Sequence, residues 1–303
     1  MNTPIILVVG ADGQLARALL QAANATTHSE LSIAAIGRPA LDITKPETLT
    51  AAMAQYQPAL VVNCAGYTGV DQAETEDGRA FAVNAEGAAV LAEKCHLGGI
   101  PMIHISTDFV FSGTLERAYV ETDATGPANA YGLSKLEGEK RVAAICQRHV
   151  ILRTSWVYSP LGSNFVRAML RLAGEREEIS VVADQQGCPT YAPHLAAAIL
   201  EIASQVLSRR NAELPWGIYH AAGSGETSWC GFAQQIFSES ARRGGPTAHI
   251  VPIATEQYPT PASRPANSRL DCTKLKAYFG IELPHWKDGT AQCVAHLLSS
   301  QSE

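Results

Sequence analysis

A continuous apolar run, Ile5–Val9, leads directly into a turn that contains Gly10 and Gly13. The run is typical of a strand buried on both faces of a parallel sheet, and a helical pattern of apolar residues begins at Leu15. Gly10 permits a tight turn, and Gly13 lets backbone amides approach a pyrophosphate at the helix N-terminus. Ala16 occupies the third glycine position of this fingerprint and still allows close helix packing. The start of the chain therefore predicts a strand-turn-helix unit that binds a dinucleotide.

Four further apolar runs predict strands that alternate with helical patterns along the first half of the chain. The predicted strands are Ser32–Ile36, Leu60–Asn63, Met102–Ser106 and Val150–Arg153. Strands that alternate with helices form parallel sheets, and right-handed crossovers bring their carboxyl ends to one edge. The sequence therefore predicts an α/β fold built on a Rossmann-type doubly wound parallel sheet, with its ligands at that edge.

The end of the second strand bears on the choice of dinucleotide. It reads Gly37-Arg38, without the acidic residue that accepts the ribose hydroxyls of NAD. An arginine there can pair with a 2′-phosphate, which favours NADPH and leaves NADH as a second donor; the alternative is a surface arginine on a loop. Asp42 can reach the adenine edge or cap the helix that begins near Pro46. The residues predicted to bind the cofactor are Gly10, Asp12, Gly13, Gln14, Leu15, Arg38, Asp42, Ile43, Ala65, Gly66, Tyr67, Thr68, Tyr131 and Lys135.

Tyr131 and Lys135 are four residues apart in a helical pattern and therefore lie on the same face, one turn apart. A nearby ammonium stabilises a phenolate, so the lysine is expected to lower the tyrosine pKa. Thr107 follows the fourth predicted strand and would place a hydroxyl beside this pair. Three polar groups around one oxygen predict a general-acid site for a carbonyl or an alcohol; the alternative is an ordinary amphipathic helix. A buried Asn84 is expected to brace neighbouring backbone rather than to contact substrate.

Composition excludes several classes of partner and site. The net charge of −6 argues against nucleic acid or a polyanionic membrane as a partner. The seven cysteines are scattered without a C-x-x-C pair, which favours reduced thiols over disulfides or a zinc site. The nine histidines form no H-x-x-x-H pair, and no metal site is expected. The sequence has no signal-peptide pattern and no run of about 18 apolar residues, so we expect a cytoplasmic protein.

Three motifs together resemble the extended short-chain dehydrogenase/reductase superfamily. They are the G-x-x-G turn, S-T-D-x-V-F at 106–111 and Y-G-x-S-K-x-x-G-E at 131–139. More narrowly, the chain resembles the dTDP-4-dehydrorhamnose reductase family from Ile5 to about Trp286. The stretches that carry this narrower likeness are 13–15, 106–111, 153–158, 164–165, 184–190 and 258–270.

The resemblance implies a role for each residue of the predicted acid site. Thr107 is expected to hydrogen-bond the C4 oxygen of the sugar, and Tyr131 to donate the proton. Lys135 is expected to hold the nicotinamide ribose while lowering the tyrosine pKa. Asp108 and Trp156 match positions that contact the sugar; the alternatives are a structural cap for Asp108 and core filling for Trp156.

The resemblance also divides the chain. Residues 1–155, with about 191–222 returning to them, are expected to form the NADP-binding domain. Residues 156–190 and 223–303 are expected to form a smaller C-terminal α/β lobe for the nucleotide sugar. The proline-rich stretch 252–265 is expected to lack regular structure and to wrap this lobe. Within it and after it, Arg264, Asn267 and Arg269 either contact the diphosphate or brace the loop.

The reaction implied is reduction of the C4 keto group of dTDP-4-dehydro-6-deoxy-L-mannose by NADPH, the last step of dTDP-L-rhamnose synthesis. Two alternatives remain: another nucleotide-sugar reductase or epimerase, and an NADP-binding regulatory subunit resembling the methionine adenosyltransferase beta subunit. Some members of the family form a metal-mediated dimer through two glutamates. The matching positions here hold Ala18 and Pro193, which cannot ligate a metal. A monomer or a dimer without metal is therefore expected.

Overall fold

The computed structural model describes residues 3–24, 31–209 and 214–299 of the chain. Its first half alternates strands with helices. The elements there are β1 (Ile5–Val9), α1 (Gln14–Asn24), β2 (Ser32–Ile36), α2 (Pro46–Tyr56), β3 (Leu60–Asn63), α3 (Asp77–Phe81), α4 (Ala88–Leu97), β4 (Met102–Thr107), α5 (Ala130–Ile145) and β5 (His149–Thr154). A π-helical turn, Ala82–Gly87, joins α3 to α4, and 3₁₀ turns cover Gln72–Glu74 and Asp108–Val110.

The second half has shorter strands and carries the remaining helices. Its elements are β6 (Val157–Tyr158), α6 (Phe165–Ala173), β7 (Glu178–Val182), β8 (Gln186–Gly187), β9 (Thr190–Tyr191), α7 (Ala192–Ser208), β10 (Gly217–His220), β11 (Thr227–Ser228), α8 (Trp229–Ala241), β12 (His249–Ile253), β13 (Asn267–Ser268), α9 (Thr273–Phe279) and α10 (Trp286–Ser299). Among the described helices, none has the length and apolar character needed to span a membrane.

The central sheet has six strands in the order β10-β5-β4-β3-β1-β2, and every pair of neighbours is parallel. The predicted doubly wound α/β sheet is therefore confirmed, and each predicted strand lies within one residue of its observed bounds. Val9 at the end of β1 is in register with Ile36 and Asn63, and Thr107 is in register with Thr154. The carboxyl ends of the strands thus form one continuous edge.

Helices cover both faces of this sheet. On one face, Leu19 of α1 and Ile199 of α7 belong to the same fully buried cluster as the side chains of β1 and β3. On the other face, α2, α4 and α5 contribute Leu49, Leu91 and Val142 to a second buried cluster. Because both faces are covered, the strands can be apolar throughout, which explains the continuous runs in the sequence.

A separate apolar core lies in the second half of the chain. It joins α6, α8 and α10, with Val166, Phe232 and Val294 completely buried. Residues 273–283 were predicted to belong to this lobe, but they pack on the central sheet. Leu275 and Phe279 are one helical turn apart on α9 and both enter the sheet core.

The proline-rich stretch is more regular than predicted. Pro252 lies in β12, paired in parallel with Val181 of β7, and Thr255–Gln257 form a 3₁₀ turn. The two strands form a two-stranded sheet, so β12 is an edge strand. An edge strand tolerates proline because its outward side needs no backbone donor. The prediction of irregular structure was wrong for these residues.

Candidate functional site

The turn after β1 is pressed against the end of β3. Gly10 has a φ of +97°, and a Cβ built there would lie 2.7 Å from the backbone nitrogen of Ala65. The Gly10 N–H donates to the carbonyl of Ile36 at 2.9 Å, which ties the turn to β2 as well. Only glycine accepts this backbone angle and this close approach without strain.

A cavity of about 210 Å³ opens beside this turn, and we call the residues that line it the cofactor edge. Most residues predicted to bind the cofactor meet there. They are Gly10, Asp12, Gly13, Arg38, Asp42, Ile43, Ala65, Gly66 and Tyr67. The lining is largely backbone and small side chains at the ends of three strands, a surface against which a dinucleotide can lie. The cavity therefore fits the cofactor that the glycine fingerprint predicts.

Five of the predicted cofactor residues lie apart from this cavity, and two of them are Tyr131 and Lys135 of α5. Leu15 is buried in the sheet core, and Thr68 is exposed on the surface. Gln14 turns toward the second half of the chain, where its Oε1 accepts hydrogen bonds from Ser159 Oγ at 3.2 Å and Asn164 Nδ2 at 2.9 Å. These contacts connect the first helix to the loop before α6. Their role in cofactor binding remains a prediction.

Two of the described arginines line the cofactor edge, and only one of them was predicted from the sequence. Arg38 is exposed at the end of β2. Arg79 of α3 lies with its guanidinium 5.8 Å from the centre of the Tyr67 ring and pairs with Glu76 at 3.1 Å. Arg79 is four residues before Val83, which also lines the cavity, but neither residue was predicted there, so the sequence held no signal for it.

Asp42 shapes the loop after β2 rather than capping α2. Its Oδ1 accepts from the Thr44 N–H at 3.0 Å and from the Thr44 hydroxyl at 2.7 Å. These two hydrogen bonds lower the pKa of Asp42, so it is an anion at neutral pH. The N-cap of α2 is Lys45. The alternative that Asp42 caps α2 is therefore wrong. The other alternative, contact with the cofactor from the cofactor edge, stays a prediction.

The first turn of α5 is fixed from both sides. Asn129 caps the helix by accepting from the Gly132 N–H at 2.8 Å, and its Nδ2 donates to the carbonyl of Ser263 at 2.8 Å. Gly132 lies so close to the carbonyl of Phe109 that a Cβ there would overlap it. The ring of Phe109 meets Tyr131 edge-to-face at 5.4 Å. The position of Tyr131 is thus set by a cap, a close backbone approach and a ring contact.

Tyr131 faces a pair of hydrogen-bonded side chains at the end of β4. Burial raises the pKa of Tyr131 to about 12, an effect that the nearby Thr107 hydroxyl partly offsets. The Thr107 hydroxyl donates to Asp108 Oδ1 at 2.9 Å, and both residues are buried. Burial also raises the pKa of Asp108 to about 6. Tyr131 therefore keeps its proton at neutral pH and can act as a donor.

Lys135 lies one turn further along α5 and points into the sheet. Its Nζ donates to the carbonyl of Ile105 at 2.6 Å, and its side chain is buried. Burial lowers the pKa of Lys135 to about 8, and Glu139 opposes this change. The ammonium was predicted to lower the pKa of Tyr131, but the phenol pKa is raised instead. The expected effect is overridden because burial acts more strongly and the ammonium is directed at a carbonyl.

A buried ion pair supports α5 at its next turn. Arg153 of β5 donates to Glu139 through Nε at 2.9 Å and Nη2 at 2.7 Å, and neither side chain is more than 3% exposed. The guanidinium also lies 4.9 Å from the ring centre of Phe111. We call Lys135, Glu139 and Arg153 the polar layer. It is a row of charges between α5 and the sheet.

Asn84 connects the cofactor edge to α5 through hydrogen bonds to backbone and to a side chain. It lies in the π-helical turn, where its Oδ1 accepts from the Tyr67 N–H at 2.8 Å. Its Nδ2 donates to the Tyr67 carbonyl at 3.1 Å and to Ser134 Oγ at 2.9 Å. The Ser134 hydroxyl in turn donates to the carbonyl of Tyr131 at 2.8 Å. The predicted bracing role is confirmed.

Trp156 forms part of an aromatic stack in the second half of the chain. Its backbone is left-handed, with a φ of +48°, and its ring stacks on Trp229 with the centroids 3.6 Å apart. Gly187 lies against the same ring, where a Cβ would overlap the indole. Trp229 was not among the predicted site residues because this stack joins positions far apart in sequence.

Three polar residues within and just after the proline-rich stretch all bond within the protein. Arg264 pairs with Asp71 at 2.8 Å and is 22% exposed. Asn267 donates to the carbonyls of Leu115 and Arg117, both at 2.7 Å, and accepts from the Arg269 N–H at 3.0 Å. These bonds brace the loop. A direct contact with substrate remains a prediction for Arg264 and Asn267.

The described residues also bear on metal binding and thiol chemistry. Among residues 3–24, 31–209 and 214–299, no group of three His, Cys, Asp or Glu side chains is arranged to hold a metal ion. Ala18 is buried against α7, and Pro193 lies in the first turn of that helix. The seven cysteines are all unpaired thiols.

Comparisons with known proteins identify the family. A family model described as the RmlD substrate binding domain matches residues 4–299. A dTDP-4-dehydrorhamnose reductase of Sinorhizobium fredii is 46% identical over 293 residues, which are 97% of each chain. One of Burkholderia thailandensis is 43% identical over 299 residues, 97% of this chain and 99% of that relative.

A solved structure agrees with these relatives. It is a dTDP-4-dehydrorhamnose reductase from Bacillus anthracis in complex with NADP, which is 34% identical and superposes with a TM-score of 0.89. The match covers 97% of this chain and 100% of that one. Family model, sequence relatives and structure thus agree over nearly the whole length. The chain belongs to the dTDP-4-dehydrorhamnose reductase family, oxidoreductases of the extended short-chain dehydrogenase/reductase type.

Proposed function

We propose that this protein reduces the C4 keto group of dTDP-4-dehydro-6-deoxy-L-mannose with NADPH and forms dTDP-L-rhamnose, the last step of dTDP-rhamnose synthesis. The observation that carries this proposal is the position of the Tyr131 phenol, which faces the Thr107 hydroxyl at the sheet edge that also holds the glycine turn. A proton donor and a dinucleotide site on one edge are what carbonyl reduction requires.

The cofactor edge is the part of the chain that holds NADPH in this proposal. Gly10 and Gly13 leave room for the pyrophosphate beside the N-terminus of α1. Arg38 supplies a positive charge for the 2′-phosphate, and Arg79 supplies a second one on the same cavity. When bound, NADPH supplies the hydride, and NADH serves as a weaker donor.

Tyr131 donates the proton to the C4 oxygen. A phenol whose pKa is about 12 is fully protonated at neutral pH and loses its proton only to a strong base, which the developing alkoxide is. Thr107 hydrogen-bonds the same oxygen, and Lys135 holds the nicotinamide ribose. The Ile105 carbonyl and the polar layer support Lys135 in that position.

The sugar and its diphosphate are assigned to the second half of the chain. Trp156 offers an apolar ring to the C–H face of the sugar. Asp108 lies beside Thr107, on the C4 side of the sugar. Arg264 is partly exposed while it pairs with Asp71, so its guanidinium can also meet a phosphate. We assign Asn267 to bracing, because its side-chain atoms already bond to protein groups.

We further propose a division of labour along the chain. Residues 1–155 with about 191–222 bind NADP, and residues 156–190 and 223–303 bind the nucleotide sugar, except that 273–283 support the sheet. The protein acts in the cytoplasm as a monomer or as a dimer without metal. Light scattering with magnesium and with a chelator tests the last point, since a metal-mediated dimer would dissociate only with the chelator.

The test of the proposed reaction is the decay of NADPH absorbance with purified protein and enzymatically generated dTDP-4-keto-6-deoxy-L-mannose. Decay that stops when the sugar is exhausted, with dTDP-L-rhamnose as product, is the expected result. Tight NADPH binding without decay would favour the regulatory subunit. Conversion of the sugar without net oxidation of NADPH would favour an epimerase.

A further inference from the structure

Thr107 has a single hydroxyl proton, and this proton is directed at Asp108. The hydroxyl donates to Asp108 Oδ1 at 2.9 Å, and the Phe109 N–H donates to the same Thr107 Oγ1 at 3.2 Å. A hydroxyl group has one proton to donate and two lone pairs to accept with. While Asp108 is ionised, Thr107 therefore has one lone pair left for a further partner and no proton.

A keto oxygen cannot use that lone pair. It carries no proton and only accepts hydrogen bonds, so two acceptors would face each other. A neutral Asp108 changes the direction of the bond. Its carboxyl proton is then donated to Thr107 Oγ1, and the Thr107 proton becomes free for the keto oxygen. An alcohol needs no such change, because its own proton can be donated to the remaining lone pair.

We propose that Asp108 is a positioning residue that must be protonated for Thr107 to donate to the keto oxygen, so that binding of the keto sugar takes up one proton and binding of the alcohol takes up none. The inference rests on the proposed function, because it needs a C4 oxygen beside Thr107. No bond of the sugar changes in this step. A proton from solution joins the Asp108 carboxylate, and Tyr131 keeps its own proton for the reduction.

The surroundings of Asp108 make this protonation easy. The residue is 4% exposed, and its Oδ2 has no hydrogen-bond partner among the described residues. Burial raises the pKa of Asp108 to about 6, whereas the Ser268 and Thr107 hydroxyls lower it. Tyr131 on α5 and Cys188 before β9 also face the carboxyl, and burial raises both of their pKa values, so both are neutral. The free carboxyl is mostly ionised at neutral pH but accepts a proton at small cost.

Isothermal titration calorimetry of two non-reacting complexes tests the proposal. The keto sugar is titrated into enzyme with NADP⁺, and dTDP-L-rhamnose into enzyme with NADPH, each in two buffers of different ionisation enthalpy at neutral pH. The expected result is uptake of close to one proton with the ketone and close to none with the alcohol. Equal proton uptake with both ligands would overturn the proposal.

Variants separate the role of Asp108 from other titrating groups. Asp108→Asn places an amide donor beside Thr107 and should abolish the proton uptake. Thr107→Ala removes the hydroxyl that links the carboxyl to the ketone and should abolish it too, while Thr107→Ser should retain it. Uptake in Asp108→Asn equal to that of the wild type contradicts the proposal. If a variant fails to fold, the comparison of ketone and alcohol on the wild type decides the matter alone.

Kinetics give a readout that a merely structural role would not move. In the wild type, KM for the keto sugar should rise about tenfold per pH unit above the pKa of Asp108 while kcat stays steady. In Asp108→Asn, KM should not follow pH in this range. If the wild type does not turn over the keto sugar, the proposed function fails. If it does so but KM and proton uptake are independent of Asp108, only this inference fails.

Discussion

The cofactor edge and the polar layer lie close together under one sheet edge, yet they are built from different groups. The cofactor edge offers backbone at Gly10 and exposed arginines, of which Arg79 is 60% exposed. In the polar layer, Glu139 and Arg153 are almost completely buried. Exposed charges are screened by water, whereas a buried charge that loses its partner is strongly destabilising. Single substitutions at the cofactor edge can therefore alter ligand preference without loss of stability. In the polar layer, a substitution of one partner alone is expected to destabilise the fold.

The largest effect is expected from breaking the buried pair. Arg153→Met leaves the Glu139 carboxylate buried without a counter-charge, and the free energy of unfolding should fall by about 3–5 kcal/mol. Urea denaturation measures this loss. Arg79→Met, which breaks the exposed pair with Glu76 at the cofactor edge, is the matched control and should change stability little.

A double variant shows whether the charge or the packing matters. Arg153→Met with Glu139→Gln removes both charges, and most of the lost stability should return because no uncompensated ion is left. If the double variant is as unstable as Arg153→Met alone, the loss comes from packing of the guanidinium against Phe111 rather than from charge.

The next largest effect concerns catalysis rather than stability. Tyr131→Phe removes the proton donor while keeping the ring that meets Phe109, so kcat should fall about 10²-fold or more. NADPH affinity should stay the same, because the phenol does not line the cavity of the cofactor edge. The rate of NADPH oxidation measures kcat, and a titration followed by cofactor fluorescence measures NADPH affinity. Normal turnover by this variant would show that another group donates the proton.

A third prediction uses the pH dependence of stability. Burial lowers the pKa of Lys135 from 10.5 to about 8, so between these values the unfolded chain binds a proton that the folded chain does not. The unfolding free energy of the wild type relative to Lys135→Met should therefore rise with pH above about 8, by at most about 1.4 kcal/mol per pH unit. Below the folded pKa both states bind the proton and the difference is constant.

Urea denaturation of both proteins at several pH values checks this sign. Lys140→Met, at an exposed position on the same helix, is the control for loss of a lysine. A constant difference between the wild type and Lys135→Met across this range would mean that the ammonium is not held in a dry environment.

The contrast between the two regions also explains what the sequence could reveal. The sheet was predictable because its strands are covered on both faces and read as continuous apolar runs. The glycine turn was predictable because Gly10 needs a backbone angle that other residues avoid. Both signals are local in sequence.

Other features depend on contacts between distant segments, which no local pattern records. Helical spacing placed Lys135 beside Tyr131, but it could not show that the ammonium is directed at the Ile105 carbonyl. The stack of Trp229 on Trp156 and the packing of α9 on the sheet have the same origin. The polar layer in particular pairs Glu139 of one element with Arg153 of another.

The smallest effect is expected at the cofactor edge, where a charge is exposed. Arg38→Ala should weaken NADPH binding about tenfold and leave NADH binding unchanged, because only NADPH carries the 2′-phosphate that the guanidinium can meet. Fluorescence titration measures the ratio of the dissociation constants of NADPH and NADH. Arg17→Ala, at an exposed position of α1 outside the cavity, is the control. The difference should shrink at high salt, since an exposed charge is screened. Equal weakening of both cofactors would mean that Arg38 contacts a group they share, and the preference for NADPH would then rest on Arg79.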